Sequence, residues 1–404
     1  NMKLQRLISN QLSMATRRSA MLGTLPQRSY YMQQKQTFYS QDLKVLEPQN
    51  PLKEKPGADH TYTFGSLTTD YMLECDYDNK NGGWQPPVIK QIEDFELDPA
   101  NASLQYSIEC FEGAKAYISK EDPDKAIIFR IDKNYERMNS SHRQLGFPQF
   151  NVHEMVECTK KLLDIERDWI PNRPLHSMYI RPTSICMENK LGVNNIQKMK
   201  TFVVLSPVGP YYPRGFVPVK LFCFSDIVRA WPQGFGDKKV GGNYAPTLKV
   251  GRLGNQKHGC DQALWLLHDY VTEVGTMNLF VFWKNEKGEK ELITPPLDGT
   301  ILPGITRASI IELSKELGEF KVSEAPFKIQ EVIKAVKEDR LYEIFGTGTA
   351  ALISPVCQFK FNETVYPVPI EEEFGAGKLA QRMLSKITDL QYGVVKRPDW
   401  QFEI

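Results

Sequence analysis

The segment Arg229-Ala-Trp-Pro-Gln-Gly-Phe-Gly-Asp-Lys-Lys239-Val-Gly-Gly-Asn-Tyr244-Ala-Pro places a lysine between glycines and close to a tyrosine. A second segment begins 34 residues after Lys239. It reads Glu273-Val-Gly-Thr276-Met-Asn-Leu-Phe and places one glutamate in an apolar stretch. A lysine amine is a nucleophile that forms Schiff bases with carbonyl compounds. Either segment alone is weak evidence, because a lysine beside glycines is usually a solvated loop residue and such a glutamate can simply cap a strand.

Taken together, the two segments suit the chemistry of pyridoxal phosphate (PLP). Lys239 can bind the aldehyde of this cofactor covalently. Glu273 can hold the pyridine nitrogen protonated, so that the ring accepts electrons. The spacing therefore predicts a PLP site with Lys239 as its catalytic residue.

Three further segments offer donors for a phosphate group. Leu302-Pro-Gly304-Ile-Thr306-Arg places Pro-Gly before a predicted helix, whose N-terminal amides then face an anion. Gly346-Thr-Gly348-Thr349-Ala-Ala is a small turn rich in donors after a predicted strand. Arg130 closes a short apolar strand, where an unpaired charge costs free energy. Each segment alone also fits a helix cap, a β-turn or a surface arginine, and their combination favours a phosphate site.

The order of the predicted elements indicates an α+β protein of two domains with mixed sheets. Residues 207–218 hold four prolines and two glycines, which cannot continue a helix or a central strand. We assign this segment as the interdomain linker, between a smaller α+β domain over residues 42–206 and a larger domain over residues 219–404 that carries Lys239. Helices are predicted over residues 134–145, 152–169, 256–266, 306–317 and 329–337, and strands over 126–131, 178–182, 201–205, 219–224, 291–293 and 343–345.

Composition places the chain among ordinary globular proteins. Its 404 residues are 41% hydrophobic and 25% charged, and that length exceeds the usual limit of a single core. We expect no membrane span, because no run of about 18 apolar residues occurs. Seven cysteines without a Cys-x-x-Cys pair, and scattered histidines, predict reduced thiols and no metal site.

The charge is distributed unevenly along the chain. Residues 1–41 carry six basic residues and no acidic one, and Asp42 is the first acid. The remainder has 44 basic and 49 acidic residues, which argues against nucleic-acid binding. Residues 1–41 lack the compact apolar stretch of a secretory signal and are typical of a transit peptide, which predicts the mitochondrial matrix. The alternative is a disordered basic tail on a cytoplasmic protein.

These segments closely resemble the branched-chain amino-acid aminotransferases, which are fold-type IV PLP enzymes. The resemblance covers nearly all of the chain from about residue 60, and it implies the fold-type IV architecture with the active site between two domains. It implies that Lys239 carries PLP, that Glu273 faces the pyridine nitrogen and that Tyr244 lies near the cofactor O3′. The other cofactor-binding positions that it implies are Arg130, Arg229, Thr276, Ile305, Thr306 and Thr349.

The resemblance also implies a substrate pocket and a partner. Thr349 and Ala350 form the turn that holds the substrate carboxylate, and Arg181 lies beside the pocket. The aromatic wall around the substrate side chain comprises Phe64, Tyr106, Phe111, Tyr179 and Tyr211. The segment Leu191-Gly-Val193 resembles a loop that enters the neighbouring subunit's site, which implies a homodimer.

The activity implied is reversible transamination of leucine, isoleucine and valine with 2-oxoglutarate, by ping-pong kinetics. Two other kinds of fold-type IV enzyme remain as alternatives, a D-amino-acid aminotransferase and an aminodeoxychorismate lyase. The aromatic set and residues 106–115 favour the branched-chain enzyme. A third alternative is a non-catalytic protein that retains the fold.

Overall fold

The computed structural model describes residues 37–57, 59–210 and 216–404. The predicted transit segment lies outside these residues as far as residue 36, and so does Tyr211. Within the described part, the strands form two separate sheets and the helices pack against them. Parallel and antiparallel strand pairs both occur. The predicted α+β class with mixed sheets is therefore confirmed.

The secondary structure is numbered in chain order. The α-helices are α1 (Ala102–Tyr106), α2 (Ile131–Leu145), α3 (Val152–Ile165), α4 (Thr247–His258), α5 (Ile305–Leu317), α6 (Ile329–Lys337) and α7 (Lys378–Gln391). The strands before residue 210 are β1 (Lys44–Val45), β2 (Tyr71–Asp78), β3 (Gly83–Trp84), β4 (Val88–Gln91), β5 (Glu109–Phe111), β6 (Ala114–Ile118), β7 (Ala126–Phe129), β8 (Ser177–Cys186) and β9 (Lys198–Val208). The later strands are β10 (Val219–Phe224), β11 (Gln262–Leu267), β12 (Tyr270–Val274), β13 (Met277–Lys284), β14 (Lys290–Thr294), β15 (Lys321–Glu324), β16 (Leu341–Gly348), β17 (Leu352–Phe361), β18 (Thr364–Pro367) and β19 (Gln401–Glu403).

The first sheet has the strand order β1-β4-β2-β9-β8-β6-β7-β19, with β3 paired to β2 and β5 paired to β8. Helices α2 and α3 cover it, and Trp84, Tyr135 and Phe150 are among the apolar residues of this core. Nine of its ten strands precede residue 210, and β19 returns from the far end of the sequence to pair with β7.

The second sheet closes into a barrel. Strand β12 pairs with both β11 and β13, and the circuit continues through β16, β17 and β10 back to β11. Closure removes the free edges of these strands. Glu273 on β12 lies opposite Asn278 on β13, which in turn lies opposite Thr347 on β16. The barrel thus brings the predicted ring-nitrogen partner close to the turn that follows β16.

A shared apolar core joins the two sheets. Tyr117 and Phe129 of the first sheet cluster with Phe280 and Phe345 of the second, and α5 and α7 contribute further apolar side chains. The arrangement fits two domains packed on one another. The predicted boundaries at residues 207–218 stay a prediction, since β19 belongs to the first sheet.

The predicted helix over residues 256–266 is wrong. Helix α4 ends at His258, followed by Gly259 with a φ of 60°, and β11 starts at Gln262. Glycine adopts this left-handed conformation without steric cost and commonly ends helices. The apolar run from Ala263 is a strand between two neighbours, and periodicity alone does not separate such a run from a buried helix.

The predicted helix over residues 152–169 is too long. Helix α3 ends at Ile165, and a short 3-10 turn follows over Arg167–Trp169. The carboxylate of Glu166 accepts a hydrogen bond from the backbone of Tyr71, and the indole of Trp169 donates to Asp70 at 3.0 Å. These contacts with the start of β2 replace a further helical turn.

None of the helices in residues 37–404 that the structure describes has the length and apolar character needed to cross a membrane.

Candidate active site

Lys239 belongs to the second half of the chain, but its main chain is bound to the first sheet. Its N–H donates to the Ser141 hydroxyl on α2 at 3.0 Å, and its carbonyl accepts from the Phe111 N–H at 3.1 Å. Val240 forms an isolated β-bridge with Cys110. These contacts with the first half of the chain fix the backbone of Lys239 at the boundary between the two sheets. An active site between two domains was predicted there.

The Lys239 side chain points into an aromatic environment. Its Nζ donates to the Tyr244 hydroxyl at 3.1 Å and lies 4.8 Å from the ring centre of Phe111. Burial, together with the positive charge of Arg137, lowers the pKa of Lys239 to about 7, against the opposing effect of Glu112. A substantial fraction of this amine is thus neutral and nucleophilic near pH 7.

Glu273 is buried and held by three donors. One carboxylate oxygen contacts Arg229 at 2.9 Å, and the other accepts from the side chain of Asn278 at 2.9 Å and from the Leu302 N–H at 3.1 Å. Burial raises the pKa of Glu273 to about 6, although Arg229 and Lys239 lower it. Arg229 also donates to two backbone carbonyls, those of Thr300 and Gly236. Its predicted place in the site is explained by this contact with Glu273.

A second buried glutamate–arginine pair also acts on the charge of Lys239, and reasoning from the sequence assigned it no role. Both carboxylate oxygens of Glu112 accept from the guanidinium of Arg137, each at 2.7 Å. Arg137 also donates to the carbonyl of Pro303 at 2.9 Å, just before α5. The only sequence signal for it was an arginine on the inward face of an amphipathic helix, which resembles any surface-helix arginine until the fold is known.

The start of α5 has the features of an anion site. Gly304 precedes the helix and supplies no side-chain cap. The N–H groups of Ile305 and Thr306 therefore have no side-chain acceptor at the helix start and remain available to bind an anion. A Cβ added to Gly304 would collide with the side-chain oxygen of Asn278. Glycine is therefore required where the loop passes Asn278, whose side chain donates to Glu273.

Arg130 reaches the same helix from the first sheet. Its guanidinium donates to Ser309 and to Glu312, both at 3.0 Å, and stacks 4.1 Å above the ring of Trp400. Its Nε is buried without a hydrogen-bond partner among the described residues. The free amides at the start of α5, with Arg130 packed against the same helix at Ser309 and Glu312, fit the phosphate of PLP, while Lys239 and Glu273 fit its aldehyde and its ring nitrogen.

The predicted aromatic wall is assembled in part. Phe64 packs edge-on against Tyr179 at 4.8 Å, and Phe111 lies 4.9 Å from Tyr244. The Arg181 guanidinium lies 5.0 Å above Phe111 and donates to the Tyr179 hydroxyl at 2.9 Å. This group of rings, with one cation, lies next to Lys239.

The turn after β16 presents main-chain donors. Thr349, Ala350 and Ala351 connect β16 to β17, and none of their N–H groups donates to another residue in the described part of the chain. The carbonyl of Ala350 accepts from the Lys115 ammonium at 2.9 Å. Consecutive free amides form an anion-binding concavity that suits a carboxylate.

Three predicted site residues are not brought into this group. Tyr106 is exposed, and its hydroxyl accepts from the Gly192 N–H at 2.8 Å, so it belongs with the 191–193 loop. Thr276 is exposed at the turn between β12 and β13. Tyr211 lies outside the described residues. No cluster of histidine, cysteine or acidic residues suited to a metal occurs among the residues described.

Known proteins match the chain over most of its length. The family described as amino-transferase class IV matches residues 109–359. A branched-chain-amino-acid aminotransferase of Dictyostelium discoideum is 46% identical over 83% of this chain and 88% of its own. The chain belongs to the branched-chain-amino-acid aminotransferases. Mus musculus relatives of this family named cytosolic and mitochondrial are 42% and 40% identical, each over 91% of this chain and over 94% and 92% of their own lengths.

Solved structures of the family share the fold. A branched-chain amino acid aminotransferase from Escherichia coli superimposes with a TM-score of 0.63 at 26% identity, over 82% of this chain and 98% of its own. The T.th. branched-chain amino acid aminotransferase with pyridoxamine 5′-phosphate gives a TM-score of 0.61 at 26% identity, over 81% of this chain and 97% of its own. The predicted family and its fold-type IV architecture are confirmed.

Proposed function

We propose that this chain transfers the amino group of branched L-amino acids to 2-oxoglutarate with PLP as its cofactor. The observation that carries the proposal is Lys239, a half-buried amine with a pKa of about 7 that contacts Phe111 and Tyr244 and is influenced by the charge of the buried Glu273. The names of the relatives and the pyridoxamine phosphate of the T.th. structure support the same activity and cofactor.

When bound, PLP supplies an electrophilic carbon and a ring that accepts the electrons of the substrate's Cα–H bond. Arg130 and the amides of Ile305 and Thr306 bind its phosphate, since they combine a cation with helix N-terminal donors. Thr349 and the exposed Thr276 are assigned to cofactor binding by the resemblance. Glu273 pairs with the ring nitrogen, and Arg229 fixes the orientation of that carboxylate.

Lys239 moves the proton. Its amine accepts the proton from the substrate Cα, because a pKa of about 7 leaves it partly unprotonated at neutral pH. Tyr244 accepts a hydrogen bond from Lys239 Nζ at 3.1 Å and so directs the amine. Burial raises the pKa of Tyr244 to about 12, which keeps its hydroxyl protonated.

The pocket is suited to two kinds of substrate side chain. Phe64, Phe111 and Tyr179 offer apolar rings to a branched aliphatic group. Arg181 lies over two of these rings and offers a cation to the second carboxylate of 2-oxoglutarate. The amides of the Thr349–Ala350 turn hold the carboxylate that both substrates share.

We also propose a homodimer. Leu191 and Val193 are 65% and 77% exposed, and the exposed Tyr106 is hydrogen-bonded to the residue between them. Exposed apolar side chains on a structured loop favour a partner surface. A second copy whose pocket receives this loop accounts for both the exposure and the separation of Tyr106 from the other predicted wall residues. Sedimentation of the purified protein tests the assembly.

For location, we propose mitochondrial import directed by residues 1–41, supported by their six basic residues and lack of acids. A fluorescent reporter fused behind residues 1–45 is expected to enter mitochondria. A matched fusion in which the six basic residues are replaced by glutamine is expected to stay in the cytosol. A native fusion that also stays in the cytosol would refute import, and import of both fusions would refute the role of the basic residues.

The activity is tested with four amino donors. The purified enzyme with PLP is assayed with L-leucine, L-isoleucine, L-valine and D-alanine against 2-oxoglutarate. We expect turnover with the three branched L-amino acids and none with D-alanine. Turnover of D-alanine alone would replace the proposal with a D-amino-acid aminotransferase, and absence of visible cofactor absorbance would indicate a non-catalytic protein.

A further inference from the structure

Lys115 is a buried cation that the proposed chemistry does not use. It lies on β6 and is 8% exposed. Burial lowers its pKa to about 8, and no described carboxylate forms an ion pair with it. An ammonium without a counter-charge is costly in the interior of a protein. Its environment is therefore incomplete in the isolated chain.

The sheet register aims Lys115 at the active site. Lys115 pairs with Tyr179 on the neighbouring strand β8, and cross-strand partners project from the same face. Arg181 lies two residues further along that strand and shares this face. The three side chains thus leave the first sheet together, towards the turn that follows β16.

The contact of Lys115 crosses between the two sheets. Its Nζ donates to the carbonyl of Ala350 at 2.9 Å. Because a trans peptide points its carbonyl and the following N–H in opposite directions, this bond turns the Ala351 N–H away from the lysine. A positive charge on the carbonyl also polarises that peptide and strengthens its N–H as a donor.

We propose that Lys115 is a positioning residue for the substrate carboxylate, holding the Thr349–Ala351 turn from the first sheet and placing an ammonium behind its donor amides. The inference rests on the proposed function and deepens it, because it concerns the α-carboxylate that amino-acid and 2-oxo-acid substrates have in common. The bound carboxylate supplies the counter-charge that the buried ammonium lacks.

The test compares two ligands that differ only in the carboxylate. 4-Methylpentanoate carries the leucine side chain and a carboxylate, and 4-methylpentan-1-ol carries the same side chain and a hydroxyl. Calorimetric binding of each to the PLP-loaded enzyme is measured for the native protein and for Lys115→Met. We expect the variant to bind the acid about tenfold more weakly or worse, the typical effect of losing a charged hydrogen bond, and to bind the alcohol as the native protein does.

Lys200→Met is the matched control. Lys200 is a largely buried lysine of the same sheet, and its ammonium already contacts Glu74 at 2.8 Å and Asp76 at 2.9 Å. Its loss is expected to leave the binding of both ligands unchanged. In steady-state assays, Lys115→Met should raise KM for L-leucine and for 2-oxoglutarate, with a smaller change in kcat.

Equal weakening of the acid and the alcohol would overturn the proposal, because it would show a general loss of pocket structure. Unchanged binding of both would overturn it as well. If Lys115→Met does not fold, Lys115→Gln keeps a donor without the charge and undergoes the same comparison. A native enzyme that transaminates none of the branched amino acids would refute the proposed function itself, independently of how the variants bind the two ligands.

Discussion

Two buried glutamate–arginine pairs contribute carboxylates that act on the charge of Lys239, and they differ in how completely each carboxylate is neutralised. Burial favours a raised pKa for Glu112, but the charge and the two hydrogen bonds of Arg137 outweigh it, so that its pKa is lowered. Glu273 receives Arg229 on one oxygen only, and burial raises its pKa to about 6. The same two residue types thus give one carboxylate that is bound by an arginine through both oxygens and one that is bound through a single oxygen. Below, we call these the saturated and the unsaturated pair.

The difference separates a structural pair from a chemical one. Glu112 and Arg137 satisfy each other, and their remaining bonds hold Asn134 and the loop at Pro303. Glu273 still gains from a further cation, because its second oxygen has only neutral donors. A protonated ring nitrogen is such a cation. We infer that the functional carboxylate is the one whose negative charge the protein neutralises only in part, and that the supporting carboxylate is the one fully paired with its arginine.

Removing the amine on which both carboxylates act has the largest expected effect. Lys239→Ala should abolish transamination, because Lys239 is the proposed residue for both cofactor attachment and proton transfer. Initial rates with L-leucine test this, and borohydride reduction followed by peptide mapping should locate the cofactor on Lys239. Lys238→Ala is the control, since Lys238 is paired with Asp237 at 2.5 Å. A cofactor label on Lys238 would contradict the assignment.

Breaking the saturated pair should cost stability. Glu112→Gln leaves the Arg137 guanidinium buried and uncompensated, with an expected loss of about 3–5 kcal/mol in the free energy of unfolding. Chemical denaturation of the cofactor-free protein measures it. The double variant Glu112→Gln, Arg137→Met should recover much of the loss, because it leaves no unpaired charge. A single variant as stable as the native protein would show that the pair is not needed by the fold.

Breaking the unsaturated pair should affect the chemical step instead. Glu273→Gln keeps the shape and removes the anion, and we expect kcat to fall by about 10²–10³-fold, the range typical of losing one preorganised electrostatic contact. Loss of bound cofactor should be much smaller than this loss of rate. Single-turnover rates and cofactor absorbance after dialysis separate these effects. Near-normal turnover would make Glu273 a structural residue.

The smallest expected effect is a shift in the titration of Lys239. Only the neutral amine reacts with acylating reagents, so labelling of the cofactor-free protein should rise around pH 7, before Lys115 at about 8 and before ordinary lysines at about 10.4. Both glutamates raise the pKa of Lys239, and Glu112 does so more. Glu112→Gln should therefore lower the labelling midpoint more than Glu273→Gln. The reverse order would show that Glu273 is the stronger electrostatic partner.

Local sequence patterns were sufficient to predict a feature where a single continuous segment forms both the helix and its candidate binding site, or the helix alone. The helix predicted over residues 329–337 is α6, and Gly304 lies before the helix predicted to bind phosphate. The helix predicted over 256–266 failed, because a fully buried strand lacks the alternation that identifies a half-buried one. Arg137 and Lys115 received no role for a related reason. Their importance depends on contacts with Pro303 and Ala350, which are 166 and 235 residues away in the sequence.

The contact between Arg130 and Trp400 has a consequence for the order of events during synthesis. The Trp400 carbonyl accepts from the Arg130 N–H at 2.8 Å, its ring covers the guanidinium, and the strand that follows it completes an edge of the first sheet. A ribosome makes Arg130 some 270 residues before it makes Trp400. The nascent chain can therefore possess Lys239, Glu273 and α5 while Arg130, the proposed phosphate-binding arginine, still lacks the Trp400 ring that covers it. With Arg130 in its proposed role, we expect tight retention of the cofactor only after the residues around Trp400 have left the ribosome.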